Sequence, residues 1–386
     1  MRSFLFTIST LIICALVIIG IYKRKEAMPT LPPIALGTAT IAGGMPNKSL
    51  AMNVNQQAEI IRQAIELYKK YNLELWIDTA PLYGNGNALI ATGIALGEHP
   101  SSVTLSIKVG RILEQVTDNK PYVPGPFAGE GHYNIRFDYS IKGINNSFKQ
   151  NFEFLNKARK ERGWSELAPK DFKNLIIFIH DPETGMHGAN TGVIIKQVKK
   201  EALPALNELK KQKQLTHIGV GTNEVDAALE LVDSKFLDII MVAGRFTLLA
   251  NKAPKAPKEI KEDTAKTIEL LNAAKQHAKY LVSASPGNSG LMYPGGNWYN
   301  YKTASAEILE FRDKIIKVFD KYHLPIDAGI FRFPIEAGAV ATVMGALTSE
   351  QIEANLKSFK TKVPLELWQE LQEEGLVNSA LTFPPQ

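Results

Sequence analysis

The chain has 386 residues, 45% of them hydrophobic and 22% charged, with a net charge of +5. That balance excludes a disordered or low-complexity chain and suits one large α/β domain with extensions, or two ordinary domains. The basic residues gather in Lys210-Lys211-Gln212-Lys213 and between Asn251 and Lys261 without interleaved aromatics, so nucleic acid is not expected as a partner.

At the N-terminus, Phe4 to Tyr22 carries no charge and is dominated by Leu, Ile, Val and Phe. As a helix rising about 1.5 Å per residue, it would span roughly 28 Å, close to the hydrocarbon thickness of a bilayer. The run exceeds the apolar core of a cleavable signal peptide, and Lys23-Arg24-Lys25 follows directly. Residues 1–27 are therefore expected to form one transmembrane helix anchored in a lipid bilayer. The flanking cations place the following domain, residues 28–386, on the cytoplasmic side. Pro29, Pro32 and Pro33 read as a stiff linker. The only cysteine, Cys14, lies in the anchor, so the remainder forms no internal disulfide, as suits a reducing compartment.

Beyond the linker, apolar strand-like runs alternate with amphipathic helical ones. The strand candidates are 33–38, 73–79, 103–109, 174–180, 216–221, 237–243, 280–285 and 340–345. Helical patterns cover 56–71, 139–160, 203–214, 224–234, 264–278, 306–322 and 350–359. In the first of these Ile60, Ile61, Ala64, Ile65 and Tyr68 form one stripe. Eight β-then-α units over this length predict a (β/α)8 TIM barrel, and no Gly-x-Gly-x-x-Gly follows the first strand to favour a doubly wound sheet. Segments 112–136, 251–263 and 291–304 follow strands and are rich in Gly, Pro or repeated Ala-Pro-Lys. They read as insertions at the mouth that choose the substrate.

Three strand candidates end in polar side chains: Asp78 with Tyr83 just beyond, Lys108, and His180. Alternate residues of a strand share a face, so Asp78, Lys108 and His180 can converge at one end of a barrel. A buried lysine needs an adjacent carboxylate to keep its proton. Its ammonium would in turn pull the Tyr83 phenol below its usual value of about 10, making Tyr83 an acid/base for a substrate oxygen. His180 would orient that oxygen. Singly, these residues read as a turn cap, an edge lysine and a core histidine; four at corresponding strand ends indicate a shared site. His132, His180 and His187 are scattered and no cysteine accompanies them, so no metal is expected.

With these motifs in hand, the chain resembles the aldo-keto reductases, and more narrowly their aldose 1-dehydrogenase branch. That branch includes L-galactose, D-arabinose and L-fucose type sugar dehydrogenases and a pyridoxal dehydrogenase. The resemblance runs from about Leu36 to Val377. It rests on Asp78-Thr79-Ala80-Pro81-Leu82-Tyr83-Gly84, Lys108-Val109-Gly110-Arg111, Phe137-Asp138-Tyr139-Ser140 and His180-Asp181-Pro182. Further carriers are Gly219-Val220-Gly221-Thr222-Asn223, Ala243-Gly244-Arg245-Phe246-Thr247-Leu248-Leu249 and Asn288-Ser289-Gly290.

The resemblance implies a catalytic tetrad of Asp78, Tyr83, Lys108 and His180, and a nicotinamide dinucleotide across the barrel mouth. Gly37 and Thr38 would border the nicotinamide, Thr222 and Asn223 would hold its carboxamide, and Phe246 would stack on it. Ser285, Gly287, Asn288, Ser289 and Gly290 would approach the pyrophosphate. Gly345 to Asn355, with Gln351, would cradle the adenosine end, and Arg111 is a candidate substrate contact. No Lys or Arg stands between Gly345 and Asn355 to grip a 2′-phosphate, which favours NAD, with NADP possible if another loop supplies a cation. The implied reaction is oxidation of the C1 hydroxyl of a free aldose, a small-molecule substrate, to a lactone. The alternatives are an NADPH-dependent carbonyl or aldehyde reductase, a pyridoxal-type dehydrogenase, and a dinucleotide-binding redox sensor at a membrane.

Overall fold

A computed structural model of the chain describes residues 30–44, 52–97, 102–118, 120, 122, 123, 127 and 132–385. The expected anchor lies outside the described residues, and among these no helix is long and apolar enough to cross a membrane. The chain divides at Leu31/Pro32, and the unit from Pro32 to Gln386 holds all that follows.

Eight parallel strands close into a barrel, in chain order: β1 (Ile34–Gly37), β2 (Trp76–Asp78), β3 (Thr104–Val109), β4 (Asn174–His180), β5 (His217–Thr222), β6 (Ile239–Ala243), β7 (Tyr280–Ala284) and β8 (Ala341–Gly345). The seam is β1 against β8, with Ile34 opposite Thr342. All eight expected strands are present, shifted by three residues or fewer at their ends.

Residues paired across parallel strands share a face, so the register sorts side chains into two cores. Ile77, Leu105, Ile107, Leu175, Ile177, Ile179, Val220 and Ile240 face the helical ring and join one apolar cluster with it. The other parity points into the barrel, where Trp76, Ile176, Phe178 and Met241 are buried. Room inside is tight. A Cβ on Gly219 would come within 2.4 Å of the Phe178 ring, so glycine there makes space for the phenylalanine.

Helices lie between the strands as the apolar stripes require. Val54–Lys70 begins at a capping box in which Asn53 and Gln56 satisfy each other's backbone N–H, and it buries Ala58, Ile61, Ala64 and Tyr68. Ser140, Ser305 and Thr348 cap Ile141–Glu161, Ala306–Lys321 and Ser349–Lys360 through their side-chain oxygens. The three insertions carry more structure than their composition indicated. Arg111–Gln115 pairs antiparallel with Tyr133–Phe137, Lys258–Asp263 is helical, and Trp298–Tyr299 pairs with Lys302–Thr303. Among the described helices of seven residues or more, Asn87–Ala95, Thr191–Gln197, Ile326–Glu336 and Leu365–Glu373 escaped the expected set.

Candidate active site

The register builds the site as a staircase. Asp78 lies opposite Ser106, and Lys108, two residues on, lies opposite Phe178, with His180 two residues beyond that. Each step keeps the inward parity while climbing toward the C-terminal mouth. Tyr83 follows β2 in a short turn where Gly84, Asn85 and Gly86 all take left-handed φ.

Lys108 Nζ donates to Asp78 Oδ2 at 2.6 Å, with both side chains almost wholly buried (3% and 5% exposed). Asp78 Oδ1 accepts from Ser106 Oγ at 2.6 Å, and Ser106 accepts from Trp76 Nε1 at 2.9 Å. The carboxylate is thus held from below by inward-facing groups. Lys108 Nζ stands 4.8 Å from the centroid of the Tyr83 ring, and the His180 ring meets that ring edge-on at 6.1 Å. The four expected residues are therefore brought together.

The electrostatics divide their roles. Burial works against the Lys108 charge, but Asp78 and Tyr83 outweigh it and hold the ammonium above its ordinary value. Burial, with Arg111 and Lys108 adding repulsion, holds the His180 imidazole well below its usual range, so it is neutral at pH 7. The Tyr83 expectation is corrected. Burial pushes the phenol up to about 12, and Lys108 only partly opposes it. In this state Tyr83 is a proton donor at neutral pH.

Around this centre lies a second polar group, in which the expected Arg111, Thr222 and Asn223 meet Asp181 and Glu183, to which the sequence assigned no role. Asp181, in left-handed conformation (φ 48°), forms an ion pair with Arg111, and its Oδ2 lies 3.4 Å from His180 Nε2. Tyr139 donates to the His180 carbonyl at 2.7 Å. Glu183 accepts from the Asn223 backbone at 2.6 Å and its side chain at 2.9 Å, and from the Thr222 hydroxyl. Phe127, from the insertion after β3, packs on Tyr83 with ring centroids 5.2 Å apart.

The remaining expected residues are placed as follows. Thr38 donates from N and Oγ1 to the Asp78 carbonyl at 2.9 and 3.0 Å, and Gly37 pairs with Asp78 and Gly345 in the sheet. Thr222 and Asn223 reach the mouth but are tied to Glu183. Phe246 is corrected: it is fully buried against Phe333, with centroids 6.0 Å apart, and presents no ring face for stacking. Asn288 is buried and bonds Thr247 and Gly244, and a Cβ on Gly287 would strike the Tyr293 ring, so both hold the loop itself. At the far end Gln351 and Asn355 bond the backbone of Leu347 and Gly345. The groove there is lined by Ser349, Glu350, Glu353, Glu59 and Glu66, with Arg62 as its cation, engaged with Glu59.

The sequence profile described as the Aldo/keto reductase family matches residues 33–374. The chain belongs to the aldo/keto reductase family. This aldo/keto reductase is 27% identical over 316 residues to the pyridoxal 4-dehydrogenase of Microbacterium luteolum, covering 78% of this chain and 84% of that one. It is 26% identical over 362 residues to the D-threo-aldose 1-dehydrogenase of a Pseudomonas species, covering 90% and 95%. Among solved structures, the glycerol dehydrogenase of Gluconobacter oxydans superposes with a TM-score of 0.60 at 15% identity, covering 93% of this chain and 96% of that one. An aldo-keto reductase from Bacillus halodurans gives 0.58 at 17%, covering 91% and 93%. At those identities the structures speak for the fold alone.

Aldo/keto reductases use NAD or NADP, and the residues present fit such a group. Ser285, Asn288, Ser289 and Gly290 after β7 all take left-handed φ, of 55°, 49°, 56° and 91°. A Cβ on Gly290 would meet no atom within 4 Å, so this turn offers open backbone. Among the described residues no group of three or more His, Cys, Asp or Glu is placed to hold a metal ion.

Proposed function

We propose that this oxidoreductase converts the anomeric hydroxyl of a free aldose to a lactone, with NAD as the preferred acceptor. The observation that carries the reading is the closed Asp78–Lys108–Tyr83–His180 cluster with the polar Arg111–Asp181 pair directly beside it. The long match to a D-threo-aldose 1-dehydrogenase supports it. The nicotinamide, when bound, supplies the hydride acceptor; Ser285 and the 287–290 turn would hold its pyrophosphate, and Thr38, Thr222 and Asn223 would border its ring. Phe246 takes no part in this.

The chain's own residues handle the substrate oxygen. Tyr83 Oη takes the hydroxyl proton as the carbonyl forms, and Lys108 stabilises the phenolate that must precede this. Asp78 keeps Lys108 charged. Neutral His180 donates a hydrogen bond to the same oxygen and orients it. Phe127 covers one side of the Tyr83 ring. We further propose that 4–22 anchors the protein in a bilayer with the barrel cytoplasmic, as Lys23, Arg24 and Lys25 indicate.

One observation favours a second reading, carbonyl reduction. A phenol pushed up to about 12 is ready to give a proton rather than take one. Steady-state rates in both directions, with NAD, NADP and their reduced forms, separate the two. Oxidation of aldoses with NAD supports the first reading. Turnover confined to carbonyl reduction with NADPH replaces it with the second.

A further inference from the structure

Asp181 stands where the catalytic machinery meets the rest of the substrate. Its backbone is fixed twice, by its N–H donating to the Gly221 carbonyl at 2.8 Å and by Tyr139 holding the carbonyl of His180. The left-handed turn this requires is unusual for a residue other than glycine, and it throws the carboxylate toward Arg111 instead of along the strand. Arg111 in turn lies over the Phe137 ring, 4.9 Å from its centroid, and both charged side chains are about nine-tenths buried.

A pair built only for stability would use its hydrogen-bonding groups up. This one does not. Asp181 accepts from Arg111 and, at 3.4 Å, from Asn223 Nδ2, but Arg111 Nε, and Nδ1 of the neighbouring His180, are buried without a hydrogen-bond partner. Leaving such groups unpaired is costly, so two in one cluster mark where a ligand's polar atoms complete the network. Asp181 Oδ2 is next to His180, and His180 is next to Tyr83. Going outward from Tyr83, His180 therefore comes first and the Arg111–Asp181 pair next. A guanidinium only donates; burial pushes the Asp181 carboxyl up to about 7 against the pull of Arg111, and its ionised form only accepts, so together they suit a hydroxyl, which does both.

We propose that Asp181, paired with Arg111, recognises the hydroxyl on the carbon adjacent to the reacting carbon and so selects 2-hydroxyaldoses over 2-deoxy analogues. The proposal rests on the aldose reading above and adds a specificity residue to it. A site that hydrogen-bonds a substrate hydroxyl rejects the analogue lacking it strongly, because its own buried groups are then left unpaired.

The test compares kcat/KM for an aldose and its 2-deoxy counterpart in the full chain, in Asp181→Asn and in Arg111→Lys. Dinucleotide binding, followed by fluorescence quenching, reports that each variant is folded. The unaltered chain is expected to prefer the 2-hydroxyaldose by about 100-fold or more, and each folded variant to bring the ratio below about 10-fold. Both sugars lose some rate because Asp181 and Arg111 adjoin His180, but the loss should be larger for the 2-hydroxy substrate, a change of ratio that a general loss of structure would not produce. Equal use of both sugars by the unaltered chain, or an unchanged ratio in both variants, overturns the proposal by itself. Absence of turnover with every aldose in the unaltered chain removes the aldose reading and the proposal together.

Discussion

Asp78→Asn tests the logic of the buried pair most sharply, because it removes a charge while keeping the side chain's shape. In the native site Asp78 accepts from Ser106 and Lys108, each at 2.6 Å, and both members of the ion pair are 5% exposed or less. The amide oxygen of asparagine can still accept from Ser106. Lys108, however, is left with burial opposing its charge and without its main electrostatic support. Breaking a buried pair from one side costs about 3–5 kcal/mol. The lower figure applies here, since Ser106 stays bonded and Lys108 can shed its proton. At about 2 °C per kcal/mol for a large domain, the melting temperature falls by about 6 °C. An uncharged Lys108 no longer opposes the rise of the Tyr83 phenol, so kcat falls about 100-fold or more, while dinucleotide affinity holds. The double variant Asp78→Asn/Lys108→Met strands no charge, so it should recover much of the lost stability and none of the activity. Calorimetry and steady-state kinetics on the three variants supply both numbers. A single variant with unchanged melting temperature and rate would refute the reasoning, as would a double variant less stable than the single one by the sum of two independent losses.

Two further outcomes follow from the same geometry. Because the Tyr83 phenol is pushed above its usual value, the proton-accepting form is a small fraction that grows about tenfold per pH unit, so kcat/KM for oxidation should climb from about pH 6 to about pH 9, whereas reduction, which uses the protonated phenol, should not; a flat oxidation profile contradicts this. In Gly219→Ala the new methyl lands 2.4 Å from the Phe178 ring inside the barrel, so denaturant titration should show a loss of about 1–3 kcal/mol, with reduced activity because Phe178 and His180 share a strand face; an unchanged midpoint would mean the interior is looser than described.

The barrel was legible in the sequence because each strand is an apolar run closed by a turn, and both faces of such strands are covered. The tetrad was legible for a related reason: polar residues at the ends of apolar strands stand out. Of the helices absent from the expected set, two left little periodic trace. Asn87–Ala95 is apolar on nearly every side, wedged so closely that a Cβ on Gly93 would lie 1.9 Å from the Leu155 carbonyl oxygen, and Ile326–Glu336 contains Pro334. Asp181 and Glu183 were missed as functional groups because their partners, Arg111, Thr222 and Asn223, come from other strands and become neighbours only through the barrel register. Phe246 was misread for the opposite reason. The resemblance put Phe246 where an aromatic ring stacks on the nicotinamide, but tertiary packing turns it into the core against Phe333. The Tyr83 phenol was placed too low because the sequence names the nearby lysine but not the depth of burial, which has the larger effect.

The most direct test of the central claim is dinucleotide reduction by the purified full chain across a panel of aldoses, run beside Tyr83→Phe. The account predicts NAD reduction with at least one aldose and formation of its lactone. Tyr83→Phe should lose about 100-fold or more in kcat while binding the dinucleotide as before. Full activity in Tyr83→Phe, or no turnover of any aldose by a chain that binds NAD, would contradict it.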